Sequence, residues 1–216
     1  MRPTEKKKTN RRAEITKTAI REGMLTLLEH TSFQNVSVAS LCREAGIGRA
    51  TFYTHYTGVM DVVDELADEA IQAAEEKEGD PLAELGELAE KIQEMGNSFE
   101  LEPFMHLLPL CQRVAHTPRF NVLFRDHDIS EYIIMRIYRR ERARTVPALM
   151  KRTGLPESRA DKLFLFGVMG AFAVNRSMGW KKDEEWEEVQ KLLLTYANGG
   201  YEAVASLCKS REENTF

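Results

Sequence analysis

The side chains best suited to chemistry crowd into one stretch, from Ser37 to Tyr56, that reads SVASLCREAGIGRATFYTHY. Its second half carries a guanidinium (Arg49), hydroxyls (Thr51, Thr54), a phenol (Tyr53) and an imidazole (His55). None of these sits at a catalytic spacing from a partner. What such a set can do is hydrogen-bond to phosphates and to base edges. On a helix turning about 100° per residue, Phe52 and Tyr56 share the inward face, while Ala50 and Thr54 point most directly away. Thr51 and Tyr53 lie on the flanks. The outward face is therefore small or polar, as entry into a major groove requires, and its flanking hydroxyls can reach phosphates.

The elements that must position this face are helical. Ser37 reads as an N-cap for a short helix through Ala45, with Val38, Leu41 and Cys42 facing inward. Gly46 stands where the chain turns sharply and needs positive φ. Small Ala45 lets two helices approach, and Ile47 with Phe52 fills the space between them. A second short helix runs from about Arg49 to Tyr56, so the pair has the shape of a helix-turn-helix. Ahead of it, Arg11 to Glu29 carries Ile15, Ala19, Met24, Leu27 and Leu28 at helical spacing, which predicts one apolar stripe. Behind it, a fourth helix is expected from Val59 to Glu78, ended by Gly79-Asp80-Pro81.

The segment GIGRATFYTHY, followed by Asp61, resembles the signature of the tetracycline-repressor (TetR) family, and the likeness covers roughly Arg11–Leu66. The resemblance implies a dimeric DNA-binding regulator. Thr51, Tyr53 and His55 match positions that commonly contact the DNA backbone, and Ser37 matches another. Arg49, Ala50 and Thr54 match positions open to base edges, with Arg49 the candidate for a bidentate contact to guanine. One departure stands out: many members carry Lys where this chain has Val59. The basic arm Lys6-Lys7-Lys8 with Arg11 and Arg12 is a substitute phosphate clamp or an ordinary solvated tail. The resemblance also assigns a C-terminal body to effector binding and dimerisation.

Charge is distributed in keeping with this reading. The net charge is −4, yet residues 1–56 hold ten Lys and Arg against five Asp and Glu, and the remainder holds 20 against 29. A basic head can bind phosphate while an acidic body is repelled by it. With 43% hydrophobic and 30% charged residues in 216, the chain is expected to fold as a globular protein. No apolar run approaches the roughly 20 residues of a membrane span. MRPTEKKKTNRR lacks the apolar stretch of a secretory leader, so a cytoplasmic location is expected. There is no HExxH, GxSxG or Gly-rich phosphate loop, and no enzymatic activity is predicted. Cys42, Cys111 and Cys208 match no zinc spacing and read as inert thiols; no cofactor or metal is expected.

The rest of the chain is predicted all-α, as a head over 1–57 and a body over 58–216. Helices are expected near 82–96, 103–115 and 119–125. Asp128 with Glu131 reads as a capping-box variant opening a helix to about Arg152, kinked at Pro147. The last two helices, 157–179 and 183–208, are assigned to dimerisation by the resemblance, with Gly167, Gly170 and Ala171 allowing close approach. Gly199-Gly200 sits oddly inside the second. Five arginines between Arg136 and Arg144 read as a solvated face making ion pairs, with an anion site as the alternative. Asp126-His127-Asp128 is not read as a metal site. Phe104, His106, Cys111, Phe120 and Phe124 are effector-pocket candidates or plain core. The mechanism implied is a repressor released from a pseudo-palindromic double-stranded DNA operator by an unknown small-molecule effector. The alternative is a helical ligand-binding or adaptor protein that keeps the fold without binding DNA.

Overall fold

The computed structural model describes residues 3–74 and 80–213 and is all-α. The helices are α1 (Pro3–His30), α2 (Val38–Glu44), α3 (Arg49–Tyr53), α4 (Val59–Ala74), α5 (Pro81–Met95), α6 (Leu110–Ala115), α7 (Asn121–Arg125), α8 (Ser130–Thr153), α9 (Glu157–Ser177) and α10 (Glu184–Glu213). Short 3-10 turns cover Phe33–Asn35, Gly96–Ser98 and Glu102–Leu107. The expected run of α4 to Glu78, the Gly79 break and the side chains of Lys6, Lys7 and Lys8 lie outside the described residues. No described helix is long and apolar enough to cross a membrane.

Helices α1 to α3 form the predicted helix-turn-helix with its leading helix. Ser37 caps α2 through a reciprocal capping box: its Oγ accepts from Ser40 N at 3.1 Å, and its own N–H donates to Ser40 Oγ at 2.9 Å. Gly46 takes φ 65°, as the turn requires. The close helix approach is one the sequence reading assigned only in part. Gly23 of α1 faces the end of α2, where an added Cβ would stand 3.3 Å from Ala45 N. The predicted stripe on α1 needs one correction, because Ile15 is 62% exposed and turns to solvent. Ile20 and Leu25, which that stripe omitted, are buried with Met24 and Leu28.

One apolar cluster runs without interruption from this head into the body. It joins Ile20 and Met24 to Leu41, Phe52 and Tyr56, continues through Val62, Val63 and Leu66 of α4, and reaches Phe124, Ile133, Ile137 and Phe172. A second cluster joins Leu82, Leu85 and Leu88 of α5 to Phe99, Leu108, Leu149 of α8, and Trp186 and Leu194 of α10. Packing of α8 against α9, and of α10 against α5 and α8, closes the body.

Three boundary expectations fail for identifiable reasons. The segment 103–115 is not one helix, because Pro109 leaves Leu108 extended and α6 begins only at Leu110. Asp128 does not cap α8. The N-cap is Ile129, and Asp126 Oδ1 accepts from the backbone N–H of Asp128 (2.9 Å) and Ile129 (3.2 Å) instead. Pro147 is accommodated inside an uninterrupted α8, and α10 likewise runs through Gly199-Gly200.

Phe52 is fully buried at the centre of the head, whereas its neighbour Tyr53 is 59% exposed. Phe52→Ala is expected to cost about 3–5 kcal/mol of unfolding free energy. Tyr53→Ala should stay within about 0.5 kcal/mol. Urea midpoints of the two variants check this.

Candidate nucleic-acid interface

The structure brings the predicted contact residues onto one outward face. Ser37, Arg49, Ala50, Thr51, Tyr53 and Thr54 are exposed, His55 is partly buried, and Phe52 and Tyr56 turn inward. Helix α3 is shorter than predicted, ending at Tyr53 with Thr54 as C-cap. The Thr54 hydroxyl donates to Thr51 O at 2.6 Å, so its oxygen remains free to accept. Tyr53 meets the edge of Phe52 at 5.5 Å between centroids, which fixes the ring while leaving the phenol in solvent. Val59, where the resemblance expects Lys, packs against the apolar cluster.

What aims this face is a set of carboxylates on α4. Tyr56, the residue that anchors the end of the helix-turn-helix, donates from its hydroxyl to Glu65 Oε2 at 2.8 Å. Lys17 Nζ (2.8 Å) and Arg21 Nη1 (2.5 Å) of α1 reach the other oxygen. Arg21 also places Nε 2.7 Å from Glu69. Burial works against the Glu65 charge, but Lys17, Tyr56 and Arg21 outweigh it and hold the carboxyl below its usual value of 4.5. Burial and the same carboxylate push the Tyr56 phenol well above its ordinary range. At the start of α4, Asp61 accepts from Thr57 N and Oγ1, each at 2.6 Å, and from Gly58 N at 3.2 Å, and these bonds lower its pKa.

Two further clamps join the head to the body. Arg119 bridges Glu22 of α1 (2.6 Å) and Glu69 of α4 (3.1 Å). Asp126 Oδ2 accepts from Phe33 N at 2.7 Å, and Asp128 Oδ2 accepts from Ser32 Oγ and from Gln34 N at 3.3 Å. The Asp-His-Asp motif thus holds the connector between α1 and α2. The arginine run is an ion-paired face: Arg136 pairs with Asp64 and Asp68 of α4, and Arg142 with Glu157 and Asp161 of α9.

The effector-pocket candidates do not converge. Phe120 and Phe124 lie in the larger cluster with Cys111, Phe104 packs on the smaller one, stacked on Phe99 at 5.3 Å, and His106 is exposed. Cys42 and Cys111 are buried and Cys208 half-buried, all as free thiols. Burial pushes the Cys111 thiol up to about 11. Sequence reasoning missed Arg21, Glu65, Glu69 and Arg119. The signal available was a charged residue placed one turn from an apolar one on both α1 and α4, but their pairing spans 44 residues of chain. Comparison with protein-family models, curated proteins and solved structures finds no match to this chain.

Glu65→Gln removes the charge that faces Lys17 and Arg21. The expected loss is about 2 kcal/mol at neutral pH, less than for a fully buried pair because the Glu65 side chain is 27% exposed. A carboxyl held below its unfolded value contributes fully above about pH 4.5 and loses that contribution as the pH falls through the folded-state value. The gap in stability between the native chain and the variant should therefore close in acid. Denaturant titrations at a series of pH values measure it.

Proposed function

We propose that this chain is a sequence-specific DNA-binding transcriptional regulator of the tetracycline-repressor type. It works as a cytoplasmic homodimer that represses from a pseudo-palindromic operator and is released by a small-molecule effector. The observation that carries the reading is the outward face of the 49–54 segment: five exposed residues, small or hydrogen-bonding, on a short helix whose only large apolar residue is turned wholly inward. A face with those properties enters a major groove without steric conflict. The surplus of ten cations over five carboxylates in residues 1–56 supplies attraction to phosphate.

One head of this size buries little DNA, so specificity asks for two copies related by a two-fold axis. A surface fit for that pairing lies on α9 and α10. Leu192 (70% exposed), Tyr196 (69%) and Leu207 (54%) share one face of α10 with Gly199 and Ala203 between them. On α9, Phe166 (63% exposed) stands one turn from Gly170, where an added Cβ would meet nothing within 4 Å. Exposed apolar stripes of this kind, interrupted by glycine, suit helix-to-helix contact between copies. Binding by the effector would have to favour a dimer whose heads no longer fit successive grooves.

Two sets of variants test the reading. On the chain's selected duplex, Arg49→Ala is expected to cost about 1–3 kcal/mol and to relax preference at one base pair, whereas Tyr53→Ala weakens binding to all sequences alike. Fluorescence anisotropy against matched and substituted duplexes separates these effects, and silence of both variants would leave the adaptor reading in place. Leu192→Glu combined with Tyr196→Glu should convert a dimer to a folded monomer in sedimentation velocity. A dimer that persists unchanged would place the interface elsewhere.

A further inference from the structure

Between the last turn of α1, helix α7 and the turn joining α9 to α10 lies an open groove of about 1100 Å³. Residues 28–32 of the head form one wall, and the body forms the others. Its charged lining is mostly cationic: His30, Arg125, His127, Lys181 and Lys182 against Glu29 and Asp126. The oxygens of Asp126 already accept three backbone N–H groups, and Lys182 is paired with Glu102 at 2.6 Å. Arg125 and Lys181 have no ion pair among the described residues.

Three polar atoms of the groove's lining residues are buried without a partner: Trp180 Nε1, His116 Nε2 and Asn121 Oδ1. Buried polar groups in folded proteins are nearly always bonded, so three orphans around one groove ask for a ligand. Asn121 uses its amide nitrogen to donate to Ala115 O at 2.7 Å, which leaves the oxygen as the free end. Burial holds the His116 imidazole down to about 4, so it is neutral at physiological pH. Trp180 is 5% exposed and packs against Phe124 (5.4 Å) and Phe172 (5.8 Å). Among the described residues it is the one non-glycine with positive φ, at 57°. A bulky residue in that conformation is strained, and such strain collects at ligand sites.

The demands on an occupant are specific. Arg125 and Lys181 want negative charge. Asn121 Oδ1 wants a donor, Trp180 Nε1 wants an acceptor, and a hydroxyl satisfies either tautomer of neutral His116. We propose that the groove binds a small hydroxylated polycarboxylate, with carboxylates on Arg125 and Lys181, a carboxylate oxygen accepting the Trp180 indole N–H, and the hydroxyl on His116 Nε2 and Asn121 Oδ1. Seated there, the ligand bridges head and body beside the bond from Phe33 N to Asp126.

The intact protein without DNA is enough for the test, so its outcome is independent of the DNA-binding reading. The chain has two tryptophans, Trp180 in the groove lining and Trp186 stacked edge-on to His116 at 4.4 Å, and both report on the site. Citrate titrated at constant ionic strength is expected to change tryptophan emission saturably and to raise the melting temperature. Tricarballylate has the same three carboxylates but no hydroxyl, and it should bind about tenfold more weakly, as the loss of a hydrogen bond between buried groups implies. The double variant Arg125→Ala with Lys181→Ala alters two exposed side chains and should weaken citrate binding by at least about tenfold. No saturable response to citrate would mean that the groove holds water alone. Equal responses to both acids, unchanged in the double variant, would mean a bulk ion effect. Either result overturns the proposal.

Discussion

The carboxylate of Glu65 is the point on which the arrangement turns. It receives the Tyr56 hydroxyl from the end of the helix-turn-helix and two cations, Lys17 and Arg21, from the helix that leads into it. Arg21 has a side chain only 6% exposed, so its charge must be met inside the protein. Meeting it at α4 fixes the angle between α1, α3 and α4 together. The outward face of α3 inherits its direction from that bond set rather than from its own five residues.

The acidic character of the body gains a second meaning from this arrangement. Repulsion from phosphate is one consequence of its charge, but four α4 carboxylates have local partners. Glu65 and Glu69 face the head, while Asp64 and Asp68 face Arg136 of α8. Helix α4 is therefore a strut with the head paired along one side and the body along the other. Together with Arg119 and the Asp126–Asp128 clamp, it makes head and body share one continuous apolar cluster. A movement of α8 has a direct mechanical path to the head, which is the property that a ligand-controlled regulator needs.

Legibility in the sequence followed the range of the interactions. The helix-turn-helix was readable because its determinants are local: a serine cap, a glycine at the turn, and two aromatics one helical turn apart. The whole outward face emerged where the spacing placed it. Long-range pairings left no comparable trace. Asp126 and Asp128 resembled a local cap, yet their oxygens bond residues more than 90 positions earlier. Ile15 has the apolar character of a core residue but stands beyond the last contact that α2 offers, so the true stripe begins at Ile20. Pro109 was legible and overlooked, and it divides a helix that periodicity alone joined. Trp180 gave no signal at all, because its significance lies in backbone strain and an unmet N–H.

The central claim is that the face carrying Arg49 and Tyr53 reads DNA as one half of a two-fold pair. The most direct measurement is selection from a random duplex library with the intact protein at about 100–150 mM salt, where non-specific phosphate binding is weak. The account predicts enrichment of a two-fold-related sequence with half-sites about one helical turn, or a multiple of it, apart. Failure of the folded protein to enrich any sequence, or enrichment of one that an Arg49→Ala, Tyr53→Ala double variant selects equally well, would contradict it.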